Sequence, residues 1–346
     1  MSRKSIIARL SLAAAFALSA PLTYAQDIHF TQFDMAPLTI NPAFTGMFDG
    51  RVRAGGIYRN QWQSVTVPYV TIGAYADMPL YIESNGDYLS GGIQMYQDQA
   101  GDGQLKNFTG LLSIAYHKTF GRSDLAIGLQ GGYAQKSIDL SKLYFGDEFN
   151  SGTFTPATSQ EYHLGLGNSV NYYLVNAGVS FSSAPSSNFS YVIGLAANNI
   201  NQPNDDLLKK QNSQTGLDMR LTGELGLNII AGERLSLRPA ILYQNQASAS
   251  ELVAGNEFHY QVGREAGYEN FSTAVFLGAW YRTSDAVMIT GGVEFKGIRI
   301  GVGYDYNIST LNSSSNGNGG FEIAIRYIAP YAMKFAGKRT IPCDRF

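Results

Sequence analysis

The feature that most constrains this chain is a period of two that returns along its length. In "LDMRLTGELGLN", residues 217–228, Leu217, Met219, Leu221, Leu225 and Leu227 share one side, and Asp218, Arg220, Thr222, Glu224 and Asn228 the other. Successive side chains of a strand point to opposite faces, so this segment reads as a strand with one apolar and one polar face. "IRIGVGYDYN" repeats the pattern, with Ile298, Ile300, Val302, Tyr304 and Tyr306 against Arg299, Asp305 and Asn307. "FEIAIRY" does so again with Phe321, Ile323, Ile325 and Tyr327 against Glu322 and Arg326. One such segment fits any half-buried sheet. Here about fourteen candidates follow one another, near 51–60, 67–78, 88–97, 107–120, 123–136, 170–182, 189–199, 217–230, 233–246, 250–262, 272–283, 286–296, 298–309 and 320–329. An even count of short alternating strands separated by turn residues is the pattern of an outer-membrane barrel.

Composition points the same way. Charged residues make up 15% of the chain, well under the roughly 25% of a soluble protein. Yet the mean hydropathy is −0.11, too low for a bundle of membrane helices. The 38 Gly, 22 Tyr and 19 Phe against 2 Trp suit strands with one greasy face. The fold class expected is all-β: a transmembrane antiparallel barrel of about fourteen strands. If the first strand runs outward, alternate links must be short periplasmic turns, and 121–123, 183–187, 231–233 and 296–297 are short. The longest links, 137–169, 200–216 and 310–319, then all lie outside. Trp62, Tyr116, Trp280, Tyr281 and Tyr327 lie near strand ends and suit interfacial aromatic girdles.

The first 25 residues have Arg3, Lys4 and Arg9 before a short apolar run and a Thr23-Tyr24-Ala25 small-x-small site, the layout of a cleavable signal peptide. Residues 26–50 are irregular, 51–330 form the barrel, and 331–346 are a periplasmic tail. Removing the signal takes away three basic residues and no acid, so the remainder is more acidic than the formal −2. That balance argues against a nucleic-acid partner. A single cysteine, Cys343, excludes a disulfide framework. One Cys and four His leave no transition-metal cluster. No cofactor is expected, and no Ser/His/acid or phosphate-loop constellation supports catalysis, so the chain reads as a non-enzyme.

The first strand, "RVRAGGIYRNQW" (51–62), puts Arg51, Arg53 and Arg59 on one face. On the lipid side each would cost about 2–4 kcal/mol near the midplane, so all three are expected in the lumen. A lipid-exposed sheet edge is excluded by its unpaired backbone groups. The first strand must therefore pair with the last, and Arg59 is expected to meet Glu322 across that seam. The polar faces of the other strands add Arg220, Glu224, Arg299, Asp305 and Arg326 to the lumen.

Ahead of the barrel, "QDIHFTQFDMAPLTINPAFTGMFDG" does not alternate and is broken by Pro37, Pro42 and Gly46. It is either a periplasmic lead-in or a plug folded into the lumen. Its motifs resemble those of a known family. Phe30-Thr31-Gln32, then Asn41-Pro42-Ala43, Gly46 and Arg59-Asn60-Gln61-Trp62 resemble the N-terminal signature of the PorP/SprF outer-membrane proteins of type IX secretion. "GYDYNIS" and "GGFEIAIRY" (303–327) resemble that family's last two strands. The ending "CDRF" resembles a Cys-Pro-Arg-Phe tail with Asp344 in place of proline, which leaves the tail's role open.

The resemblance implies an outer-membrane barrel of Bacteroidota that supports secretion or surface anchoring of a partner. Partners implied are an adhesin with a type B C-terminal domain, in gliding or adhesion, and machinery such as the periplasmic ring lipoprotein and the translocon. Outer-membrane lipid surrounds the wall. Candidate contacts are the outer-loop aromatics Tyr144, Phe145 and Phe149 and the tail residues Cys343, Arg345 and Phe346. From another class, a fatty-acid-transport-like channel for small solutes would also use fourteen strands and an N-terminal plug. It needs a continuous apolar inner path, which the polar inward positions do not offer.

Overall fold

The computed structural model describes residues 28–63, 67–143, 145–150, 153–155, 159, 168–207, 216–264, 272–310 and 312–330. Its strands, in chain order, are β1 Val52–Gln61, β2 Tyr69–Ile82, β3 Tyr88–Ala100, β4 Leu105–Phe120 and β5 Ser123–Ser137. A two-residue ribbon, β6 Phe149–Asn150 with β7 Thr153–Phe154, lies in the long link after β5. The wall resumes with β8 Ser169–Ser186, β9 Phe189–Asn198, β10 Arg220–Ile230, β11 Leu235–Gln246 and β12 Ala249–Arg264. It ends with β13 Ser272–Arg282, β14 Ala286–Phe295, β15 Ile298–Asn307 and β16 Asn318–Ala329. β1–β5 and β8–β16 form one closed antiparallel barrel of fourteen strands, each paired with its sequence neighbours and β1 with β16.

The alternation in the sequence is what closes this wall. Along β15 exposed and buried residues strictly alternate, with Ile298, Ile300, Val302, Tyr304 and Tyr306 outward and Arg299, Asp305 and Asn307 inward. The exposed faces of β4 and β5 carry Leu112, Ile114, Leu125, Ile127 and Leu129. An apolar band outside and buried charge inside is the reverse of a soluble protein and suits lipid. Where β1 starts, the links 121–122, 187–188 and 296–297 are two residues long; at the other end, 138–168 and 199–219 are long. The short-turn end is periplasmic.

Residues 28–50 fold inside the barrel as short turns, Phe33–Met35, Pro37–Ile40 and Pro42–Phe44. Phe33, Met35, Leu38, Ile40, Phe44, Met47 and Phe48 are all nearly inaccessible. The core of this protein is therefore the contact between its N-terminal segment and the lumen wall. Of the two readings of that segment, the plug is the one the structure has.

Three details differ from the sequence reading. Arg51 precedes β1 and is exposed at the strand's foot, before the first register pair, Val52 with Ala329. Leu217, Asp218 and Met219 precede β10, and Leu217 packs instead against the buried Leu111, Ala134, Tyr172 and Leu174. Trp280 shares parity with Arg282 and faces the lumen, 4% exposed, so it is not part of an outer aromatic girdle.

Candidate functional site

Proline spacing shapes the plug. Pro37 and Pro42 sit in the first turns of two short helical segments, where a missing N–H costs nothing. Between them Asn41 is extended (φ −147°, ψ 122°), and its Oδ1 accepts Ala43 N–H at 2.9 Å. Its amide then points into the wall, donating to Glu224 Oε1 at 2.6 Å, Val179 O at 3.1 Å and Leu195 O at 3.4 Å. The wall makes room by omitting side chains. A Cβ on Gly178 would lie 1.9 Å from Asn41 Oδ1, and one on Gly128 would lie 2.3 Å from Ala43 N. Gly46, at φ +76°, lets the chain turn over Ser90 and aims its N–H at Asp77 Oδ2, 2.6 Å away.

Two ionic clusters grip the first part of this segment, at Thr31, Gln32 and Asp34. In the outer half, Arg59 bonds Glu322 at 3.0 Å and Asp305 at 2.8 Å, and Arg282 bonds Asp305 at 2.9 Å. Glu322 also accepts the backbone N–H groups of Thr31 (2.9 Å) and Gln32 (2.7 Å), while Thr31 Oγ1 donates to Asp305 and accepts from Arg59. Toward the periplasm, Arg299 reaches Glu257 (2.6 Å), Glu294 (3.0 Å) and Asp34 of the plug (3.2 Å), with its guanidinium 3.8 Å from the Phe276 ring centre. Glu294 also meets His259 at 2.8 Å and Arg326 at 3.8 Å.

Further contacts fix the middle and the foot. Arg53 holds Asp77 through Nε (3.0 Å) and Nη2 (2.9 Å) and donates to Phe44 O at 2.9 Å. His117, stacked on Tyr88, lies 2.8 Å from Thr45 O and 3.0 Å from Asp124. Gln130 donates to Leu38 O, and Arg220 to Ile28 O and Thr39 O. The apolar complement is Phe33, Ile40, Phe44 and Met47 against Val192, Leu242, Val253, Trp280 and Met288. Phe33 meets Trp280 edge-on at 5.2 Å. Buried charges are tolerable only when paired and hydrogen-bonded; the arginines and carboxylates of the two clusters pair with one another, and Glu224 meets the Asn41 amide.

The predicted lumen residues thus divide clearly. Arg53, Arg59, Arg220, Glu224, Arg299, Asp305, Glu322 and Arg326 are buried inside the barrel; Arg51 is not. Of the motif residues, Asn41, Pro42 and Gly46 are buried in the plug. Asn60 and Gln61 are half-buried at the outer end of β1, and Trp62, at φ +55°, packs edge-on to Tyr69 at 4.9 Å. Phe145 is half-buried, with its N–H on Glu148, and Phe149 is 54% exposed. Tyr144, Cys343, Arg345 and Phe346 lie outside the described residues. Asp34, Asp77, Glu257, Glu294, Arg282 and His117 lie outside the lumen set expected from the sequence. The available signal was register: Asp77 faces Arg53 on the neighbouring strand, and Glu294 faces Arg299.

A closed fourteen-strand wall, apolar outside and ionic inside around its own N-terminal segment, defines a plugged β-barrel of the outer membrane. This chain belongs to the PorP/SprF family of type IX secretion system membrane proteins, whose model matches residues 22–327. It is thus a secretion-related outer-membrane barrel. In shape it is similar to the toluene transporter TbuX of Ralstonia pickettii, with a TM-score of 0.51 at 13% identity over 86% of this chain and 94% of that one. It is also similar to the CymD monoaromatic hydrocarbon channel, with a TM-score of 0.48 at 9% identity over 89% and 95% of the two chains. No curated protein matches it in sequence.

Proposed function

We propose that this barrel is a non-enzymatic accessory of type IX secretion that supports export or surface anchoring of a partner protein, such as an adhesin with a type B C-terminal domain. The observation that carries this reading is the filled lumen. From Thr31 to Gly46 the segment is pinned by buried ion clusters at Thr31, Gln32 and Asp34, through its middle by Asn41, and at Gly46 by the Arg53–Asp77 pair. A solute channel needs a through-path, whereas a scaffold needs only a rigid frame that presents its loops. The likeness to hydrocarbon channels is one of fold. Outward, Phe149 on the 138–168 link offers an exposed aromatic beside Asp147 and Glu148, a composition suited to protein contact. Periplasmic ring lipoproteins and the translocon are the machinery partners proposed.

The test is affinity purification of the tagged protein from detergent-solubilised outer membranes, with the co-purifying proteins identified by mass spectrometry. Recovery of a large surface protein through its C-terminal domain supports a dedicated secretion partner. Recovery of periplasmic ring lipoproteins instead assigns the barrel to the core machinery. A barrel that purifies alone contradicts the reading and returns the solute channel to first place.

A further inference from the structure

The wall grips the plug by its backbone as well as by its side chains. Of the hydrogen bonds described between the wall and residues 28–50, eight end on main-chain atoms and six on the side chains of Thr31, Asp34 and Asn41. Glu322 takes the N–H groups of Thr31 and Gln32, and Asp77 takes that of Gly46. Arg220, Arg53 and His117 hold the carbonyl oxygens of Thr39, Phe44 and Thr45. Every residue other than proline carries both groups, so a wall that reads them is tolerant of sequence. Side-chain reading is confined to a few points, chiefly Thr31, Asp34 and Asn41.

The same wall charges are also matched to one another. Glu322 keeps Arg59, Asp77 keeps Arg53, Asp305 keeps Arg59 and Arg282, and Arg299 keeps Glu257 and Glu294 without any help from the plug. A frame built only to lock its plug would place the countercharges on the plug, yet Asp34 is the one plug carboxylate in the ionic clusters described above. Withdrawal of the segment would therefore leave the ion pairs standing. It would bare main-chain-binding groups beside the apolar lumen patch of Val192, Leu242, Val253 and Trp280.

We propose that the lumen is a polypeptide-binding channel, occupied at rest by the protein's own N-terminal segment and, during export, by an extended, apolar-rich segment of the secreted partner that displaces it. This rests on the proposed role in secretion. The occupant is a polypeptide rather than a solute, because the wall's ligating groups match peptide N–H and C=O at several depths and its apolar patch matches side chains such as Phe33 and Phe44.

A disulfide that locks the plug at Thr31 tests the exchange. A Cβ on Gly303 would lie 3.4 Å from Thr31 Cγ2, within reach of a crosslink. The variant Thr31→Cys/Gly303→Cys, in a Cys343→Ser background, is expressed in the native host. Surface proteins are then quantified by protease shaving and mass spectrometry, before and after reduction. The expected result is a loss of at least about tenfold in one or more surface proteins while oxidised, and recovery on reduction of the same double variant. Wild-type surface levels with the oxidised barrel present in the membrane overturn the exchange.

Deletion of the gene separates the two readings. If deletion lowers no surface protein, the secretion role itself fails and takes the exchange with it. If deletion lowers them and the lock does not, only the exchange fails. Should the oxidised barrel not assemble, a photo-crosslinker replacing Tyr96, which lines the lumen beside Ile28, decides the matter. Crosslinks to a secreted protein support the exchange, and crosslinks confined to this chain overturn it.

Discussion

Arg59 on the first strand and Glu322 on the last are register partners at the seam that closes the barrel, and their side chains meet at 3.0 Å with about 1% exposure each. Glu322 also binds two plug N–H groups, so one carboxylate ties seam and plug together. Removing one member of a buried pair leaves the other uncompensated, at about 3–5 kcal/mol. Glu322→Ala should accordingly lower barrel stability by about that much, read from the heat-modifiable shift on electrophoresis. Glu322→Gln, which can still accept hydrogen bonds, should cost less.

The glycine notch around Asn41 gives a second expectation. Gly178→Ala places a methyl group where Asn41 Oδ1 sits, 1.9 Å from the new Cβ. Overpacking of this kind costs about 1–3 kcal/mol, and here the yielding part is the plug. The variant should keep a closed barrel but show faster proteolysis between residues 28 and 50. Combining it with Asn41→Ala should recover part of the loss, because the two positions share one contact.

Phe33 packs edge-on to Trp280, whose Nε1–H donates to Thr290 Oγ1 at 3.1 Å. Phe33→Ala should cost about 3–5 kcal/mol through the cavity it leaves. In a Trp62→Phe background Trp280 is the single fluorophore of its kind. Its emission should be blue-shifted and shielded from acrylamide, then red-shift when Phe33 is truncated.

Acid response is expected from Asp87, in the periplasmic turn before β3. Hydrogen bonds from Lys118, from the Thr119 N–H (2.9 Å) and from Tyr116 (3.1 Å) hold its carboxyl below the usual carboxylate range. A group lowered on folding stabilises fully above its unfolded value of about 4. That contribution is lost as pH falls through the still lower folded value. Wild type should thus exceed Asp87→Asn in thermal midpoint near neutral pH, with the difference shrinking in acid. A constant difference across the acid range would remove Asp87 as its source.

How much of this was legible follows from period and register. All fourteen wall strands were readable because lipid outside and charge inside impose alternation on each. The Arg59–Glu322 contact was readable because closure forces the first and last strands together. Trp280 departs from the girdle expectation because parity, not nearness to a strand end, sets its face: it shares that face with Ala274, Phe276 and Arg282, all buried. That inner face is apolar because Phe33 packs on it, and nothing local in β13 announces a plug. Arg51 misled because pairing begins one residue later. The plug's path was not legible, since turns built on Pro37, Pro42 and Gly46 have no period. What marked it was the pairing of Asn41 with Pro42, and its meaning depends on glycines more than eighty residues away, Gly128 and Gly178.

The most direct test of the central claim, that the lumen is filled and the protein acts as a scaffold, is conductance of the purified barrel in a planar lipid bilayer. The account predicts an electrically silent protein, with openings when the plug's anchors are removed together in an Asn41→Ala/Glu322→Ala variant. A steady ohmic pore in the unmodified protein would contradict it.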